Sequence, residues 1–290
     1  SNTAFGIEAM DAITTGDNNS AFGYDALGAN TTGTNNVAVG VQALKSNTTG
    51  AYNSALGEGA LFNNNANNNA AVGYYTLKAN TTGAGNVAVG RSALESNTTG
   101  TRNIAIGSSA YSASDTENDN LAIGVNAMVT NTAGGTTNIA IGNYALDALT
   151  SGDGNVGVGY EALSAVTEGG TNTAIGHQAM LLTTSGDGNT GIGNHALENN
   201  TTGGSNVAVG RYALESNTTA SENTGVGYRA AYENTTGGGN TAIGTQALDA
   251  NSTGANNVAV GHDALKAATG GEAVAIGYAA LATMTTAVRN

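Results

Sequence analysis

Seventeen glycines divide this chain at a nearly fixed interval, and that interval restricts the fold more than any other feature. They are Gly6, Gly23, Gly40, Gly57, Gly73, Gly90, Gly107, Gly124, Gly142, Gly159, Gly176, Gly193, Gly210, Gly227, Gly244, Gly261 and Gly277. Neighbouring members lie 17 residues apart, with two steps of 16 and one of 18. A short fixed period marks a repeat architecture, in which each unit is stabilised by its neighbours rather than by one large core. Residues 1–290 therefore read as a single repeat domain. One copy runs Asn36-Val37-Ala38-Val39-Gly40-Val41-Gln42-Ala43-Leu44 and continues through Ser46-Asn47-Thr48-Thr49-Gly50.

The residue before each glycine is apolar in every copy and mostly β-branched, as in Val39, Ile106, Ile175 and Val260, which suits a strand. Two before the glycine stands alanine, or glycine at Gly157, Gly191 and Gly225, so that column is expected to press against another backbone. Strand alternation sends the Asn, Ala and Gly of the motif to one side. The large apolar residue, with the Thr or Val two before it, goes to the other. Both faces read as buried, one of them against neighbouring chains. Leu or Met follows four after the glycine in all copies but two, where Tyr111 and Ala231 stand. The Ala-Leu pair fits a second short strand or a single helical turn, and the following Thr-Thr-Gly supplies turn chemistry. The expected fold is an all-β parallel β-solenoid, or β-roll, of about 17 coils. At the strand spacing it would measure roughly 80 Å.

Asparagine stands four before the glycine in every copy except the last, where Ala273 replaces it. Stacked coils would align Asn19, Asn36, Asn53, Asn86, Asn103, Asn155, Asn172, Asn206, Asn240, Asn257 and their equivalents into a structural amide ladder. The length irregularities near Asn63-Asn64-Asn65, Gly134-Gly135-Thr136 and Gly270-Gly271 read as outward loop adjustments rather than domain boundaries. Asn2 opens the first motif and Asn290 stands where an eighteenth would begin, without a polar capping repeat. This predicts a segment of a longer array, or ends that meet those of other subunits.

Composition removes several functions. There is no cysteine, and hence no disulfide, zinc-thiolate or thiol chemistry. Eight Lys and Arg against a net charge of −13 oppose nucleic acid as a partner. No apolar run approaches membrane-spanning length, so membrane insertion by this segment is not expected. The 44 glycines and the Asn/Thr richness would suit low complexity, but the strict period opposes disorder.

At the level of Asn-x-Ala-Ile/Val-Gly-x-x-Ala, the sequence resembles the head repeats of YadA-type trimeric autotransporter adhesins. The full unit, as in Asn86 to Gly100, is similar to repeats in phage tail fibres and bacterial surface proteins. The resemblance covers essentially the whole chain and implies a left-handed β-roll, three chains around an axis, and a place on a cell surface or a virion-like particle. The coil is longer than the usual head repeat by the Asn-Thr-Thr-Gly segment. No stalk heptads, membrane anchor or chaperone domain accompany it, so the mode of attachment does not carry over.

Nothing in the sequence reads as a catalytic site or a cofactor site, and the chain is expected to be non-enzymatic. His177, His195 and His262 fall in the variable positions after the glycine, where metal convergence needs several ligands. Gly152-Asp153-Gly154, Gly186-Asp187-Gly188 and Gly16-Asp17 hint at calcium loops but read better as turns. Thr stands eight after the glycine in fourteen copies, a regular rank of the kind used in ice-binding solenoids, although its partner rank is broken. The Asn-x-Thr sites at Asn30, Asn47, Asn80, Asn97, Asn200, Asn217, Asn234 and Asn251 match the N-glycosylation pattern. Variation concentrates just after the glycine, where Tyr24, Tyr74, Tyr75, Arg91, Tyr144, Tyr160, Arg211, Tyr212, Tyr228, Arg229 and Tyr278 form a candidate recognition ridge. The reading is a structural and adhesive fibre segment, self-associating as a homotrimer and meeting a surface glycan or receptor. An end-to-end filament subunit and an ice-binding solenoid are the alternatives.

Overall fold

The computed structural model describes residues 1–285; Asn290, where an eighteenth motif would begin, lies outside them. The chain is an all-β parallel solenoid: seventeen three-residue strands, one per repeat, with no helix among the described residues. Two compact units are present, Ser1–Tyr144 and Ala145–Asn290. The first holds strands β1 (Thr3–Phe5) to β9 (Ile139–Ile141), and the second β10 (Val156–Val158) to β17 (Val274–Ile276). Within each unit consecutive strands pair in parallel and in strict register, Ala38 facing Ala55 in one and Ala174 facing Gly191 in the other.

The small-residue column shows why the repeat tolerates nothing larger than alanine there. Ala38, Ala88, Ala105 and Ala208 are fully buried. A Cβ added at Gly157 would lie 3.1 Å from the Ala162 carbonyl and 3.3 Å from Leu146 Cγ. The interior is thus a thin layer of alanine, leucine and asparagine, consistent with the shortage of large side chains. The motif glycine is fixed by the neighbouring coil. At Gly107 the φ is +138°, and a Cβ would meet the Gly124 carbonyl oxygen at 2.3 Å. That approach leaves no room for any side chain.

Within the single chain the Asn-Ala side of strands β2 to β17 is buried, and the face expected to be covered by neighbouring chains is open. On the other side Val37, Leu56 and Ile106 remain 44%, 50% and 39% exposed, because a coil encloses one interior and alternate strand residues must leave it. The Ala-Leu segment is neither strand nor helical turn. Gln42 and Leu44 take φ of +57° and +53°, and Ala43 N–H donates to Gly40 O at 3.3 Å, which makes linked turns with left-handed third residues. Leucine is disfavoured in that region. It is held there because Leu44 N–H donates to Ala60 O of the next coil at 3.0 Å while the side chain is fully buried.

The irregular coils keep this scheme. Gly134 (φ +107°) has open space around it, as an outward loop requires. In the shortened coils the ladder amides of Asn53 and Asn257 still reach carbonyls, those of Ala66 and Gly270, at 2.8 and 2.9 Å.

Candidate functional site

The expected asparagine column is a working ladder in both units. Asn36 Oδ1 accepts the backbone N–H of Asn53 at 2.9 Å, while Asn36 Nδ2 donates to Gly50 O at 2.8 Å. In the second unit Asn172 Oδ1 accepts Asn189 N–H at 2.9 Å and Asn172 Nδ2 donates to Gly186 O at 2.8 Å. Both bonds run to the following coil, so each amide ties its own coil to the next. Asn19, Asn36, Asn53, Asn86, Asn103, Asn155, Asn172, Asn206, Asn240 and Asn257 are all buried, so the column is structural and out of reach of a ligand.

A second ladder lies seven after the motif glycine, where the sequence suggested a turn and glycosylation sites. Asn47 Nδ2 donates both to Asn30 Oδ1 at 3.1 Å and to Gly50 O at 3.0 Å. The pattern continues through Asn64, Asn80 and Asn97, and again from Asn200 to Asn251. Within a run each amide after the first donates toward the N-terminal coil, so the last member keeps an unused oxygen. Asn97, Asn131 and Asn251 do so, each preceding a coil where Ser114, Leu149 or Ala268 replaces asparagine. Beside Ser114, Tyr111 stands in the leucine column and its hydroxyl takes hydrogen bonds from Asn120 and Asn131. Burial pushes that phenol well above its usual range.

The ridge residues do come together, though in separate groups. In the first unit Tyr74 stacks on Tyr75 at 3.9 Å and Lys78 Nζ sits 3.9 Å from the Tyr75 ring centre. Tyr24 lies apart; its phenol is raised chiefly by a hydrogen bond with Glu8. The second unit carries the longer run. Tyr160 stacks on His177 at 5.4 Å, His177 meets His195 edge-on at 5.6 Å, and His195 stacks on Tyr212 at 5.3 Å. Tyr212 then contacts Tyr228 and Tyr232, each at 6.3 Å. Arg211 lies over Tyr212, and Arg229 over Tyr232 while pairing with Asp249 at 3.1 Å. Tyr278 stacks on His262 at 5.5 Å. Arg91 and Tyr144 occupy the same variable columns.

His177 and His195, weighed above only for metal, and Tyr232, absent from the candidate ridge, belong to the longer run. Their register was the available signal, since the histidines share the two columns of the ridge tyrosines. Glu198 and Glu215 occupy the adjoining column. Glu198 bonds His195 Nδ1 at 2.8 Å, and the Glu215 carboxyl is raised by burial first and by the Glu198 charge second.

No group of three or more His, Asp or Glu capable of holding a metal occurs among the described residues. The Gly-Asp-Gly segments take turn roles: Gly154 and Gly188 adopt φ of +66° and +68°, and Asp187 Oδ1 accepts Gly170 N–H at 2.6 Å. In the threonine rank, Thr31, Thr81 and Thr201 each donate their hydroxyl to the next coil's carbonyl at 3.0 Å. Those hydroxyls are committed within the solenoid rather than offered to water.

The outward strand face is exposed in both units. In the first unit it includes Val37, Val87, Val89, Ile104 and Ile106, and in the second Ile175, Ile192, Val207, Ile243 and Val274. The two columns that build it contain no charged residue in any of the seventeen copies, in a chain with 29 charged residues. No protein-family model matches the chain, and no curated protein matches it either.

Proposed function

We propose that the chain is a non-enzymatic structural and adhesive fibre segment, in which three copies pack their outward strand faces around a common axis. One observation carries this reading: a repeated, charge-free and largely apolar face lies open on a chain whose 29 charged residues all stand in other columns. Contiguous apolar surface of this kind marks an interaction site, and depletion of charge is the compositional signal of an interface core. The repeating registry favours a partner with the same period, which a second and third copy provide. The likeness to trimeric adhesin head repeats points to three copies, to a left-handed roll, and to a bacterial surface or a phage-like particle. The aromatic run from Tyr160 to Tyr232 would then face outward and offer the contact surface for a glycan or receptor.

Charge placed on the face tests the proposal. Replacing Val89 and Ile106 with Asp, or Ile175 and Ile192, is expected to reduce the native mass to that of one chain while leaving the β-sheet circular dichroism intact. Unchanged assembly in both double variants would overturn it. The ice-binding alternative is disfavoured by the committed threonine hydroxyls; thermal hysteresis in the native protein would revive it.

A further inference from the structure

The eight Asn-x-Thr sites present a conflict between sequence and structure. Each of their asparagines, Asn47 and Asn217 among them, is fully buried. Asn217 Nδ2 donates to Asn200 Oδ1 at 2.9 Å and to Ala220 O at 3.0 Å, so both amide hydrogens are used. A ninth match, Asn18-Asn19-Ser20, differs: Asn18 is exposed at a turn with φ +59°. Asn199 also matches but overlaps the site at Asn200 and is only half-exposed.

N-glycosylation uses the side-chain amide as nucleophile. A bond forms between Nδ2 and the anomeric carbon of a lipid-linked oligosaccharide, the bond from that carbon to the pyrophosphate oxygen breaks, and the lipid pyrophosphate leaves with the electron pair. One amide proton is lost to base. The product keeps a single N–H, whereas the ladder uses two, and it carries a saccharide into a position with no solvent access. A buried acceptor would be left unpaired and the coil could not close around the sugar.

We infer that N-linked glycan attachment and coil closure exclude each other at these eight asparagines, so that on the folded chain the pattern is open at the exposed Asn18, in part at Asn199, and at none of the eight. The sites are open in the unfolded chain and closed by folding. Native folding thus belongs to a setting where the nascent chain does not meet an oligosaccharyltransferase, or completes its coils first.

Folded chain and peptides cut from it, each incubated with a eukaryotic oligosaccharyltransferase and its lipid-linked oligosaccharide, provide the test, with occupancy mapped by mass spectrometry. A Ser20→Thr variant strengthens the reference site at Asn18; threonine already fills that strand position at Thr173 and Thr190. Peptides are expected to accept sugar at Asn47 and Asn217. The folded chain should accept it at Asn18 at least tenfold more than at any of the eight. A parallel translation of the chain into microsomes, behind a cleavable signal, should yield no product that both carries sugar at any of the eight and resists protease. Sugar on any of the eight in a chain that keeps its native circular dichroism and protease resistance would overturn the inference. So would peptides that accept none.

Discussion

At the residue scale, the ladder asparagine does more than its side chain alone suggests. Asn36 serves the backbone N–H of Asn53 and the carbonyl of Gly50, both inside the solenoid. Asn36→Ala is expected to destabilise the chain by about 1–3 kcal/mol, the penalty for leaving buried polar groups unmatched. Denaturant titration of the variant measures it, and a loss below a few tenths would show that water replaces the amide. Glu215 offers the opposite sign. Burial and the neighbouring Glu198 raise its folded pKa above the ordinary 4.5, so its ionised form opposes folding at neutral pH. That opposition fades as pH falls through the raised value and is gone below the unfolded one, where both states hold the proton. Glu215→Gln should therefore melt higher than the native chain at pH 7, with the gap closing toward pH 4. An equal gap at both pH values would mean that the carboxyl is not desolvated in the folded state.

At the scale of the element, the strand was legible and the turns were not. An alternating Asn, Ala and Gly beside β-branched residues needs only the pleat to be read as a strand, and the column limited to alanine revealed a tight interior. The Ala-Leu segment misleads because Leu44 and its equivalents adopt a left-handed φ that local preference opposes; hydrogen bonds to the adjoining coil override it. The second amide ladder was hidden for a related reason. Asn-Thr-Thr-Gly has turn composition, and the sequence alone does not show that its first residue points inward. The directional ladder makes its own prediction. Asn251 Oδ1 is buried without a partner because Ala268 follows it. In an equally short coil, Asn64 Nδ2 reaches both Asn47 Oδ1 and Ala66 O. Ala268→Asn should repeat that arrangement with Asn251 and Gly270 and stabilise the chain by about 1 kcal/mol. A lower melting temperature would show that the coil cannot admit the larger side chain.

At the scale of the whole molecule, the solenoid follows from the repeat, while the proposed assembly rests on a face that a single chain leaves open. The sequence implied that neighbouring chains cover this face, because a large apolar residue stands in it before every motif glycine; a single chain leaves it open. The ridge was legible as a set of variable positions, but the stacking of Tyr160, His177, His195 and Tyr212 depends on coil register that spacing alone only suggests. The proposed trimeric packing would account for the open face, the exclusion of charge from it, and the placement of the 29 charged residues in other columns. Light scattering coupled to size exclusion tests this most directly. A native mass of three times 28.4 kDa is the predicted result. A stable species of one chain's mass, unchanged as concentration rises into the micromolar range, would contradict it.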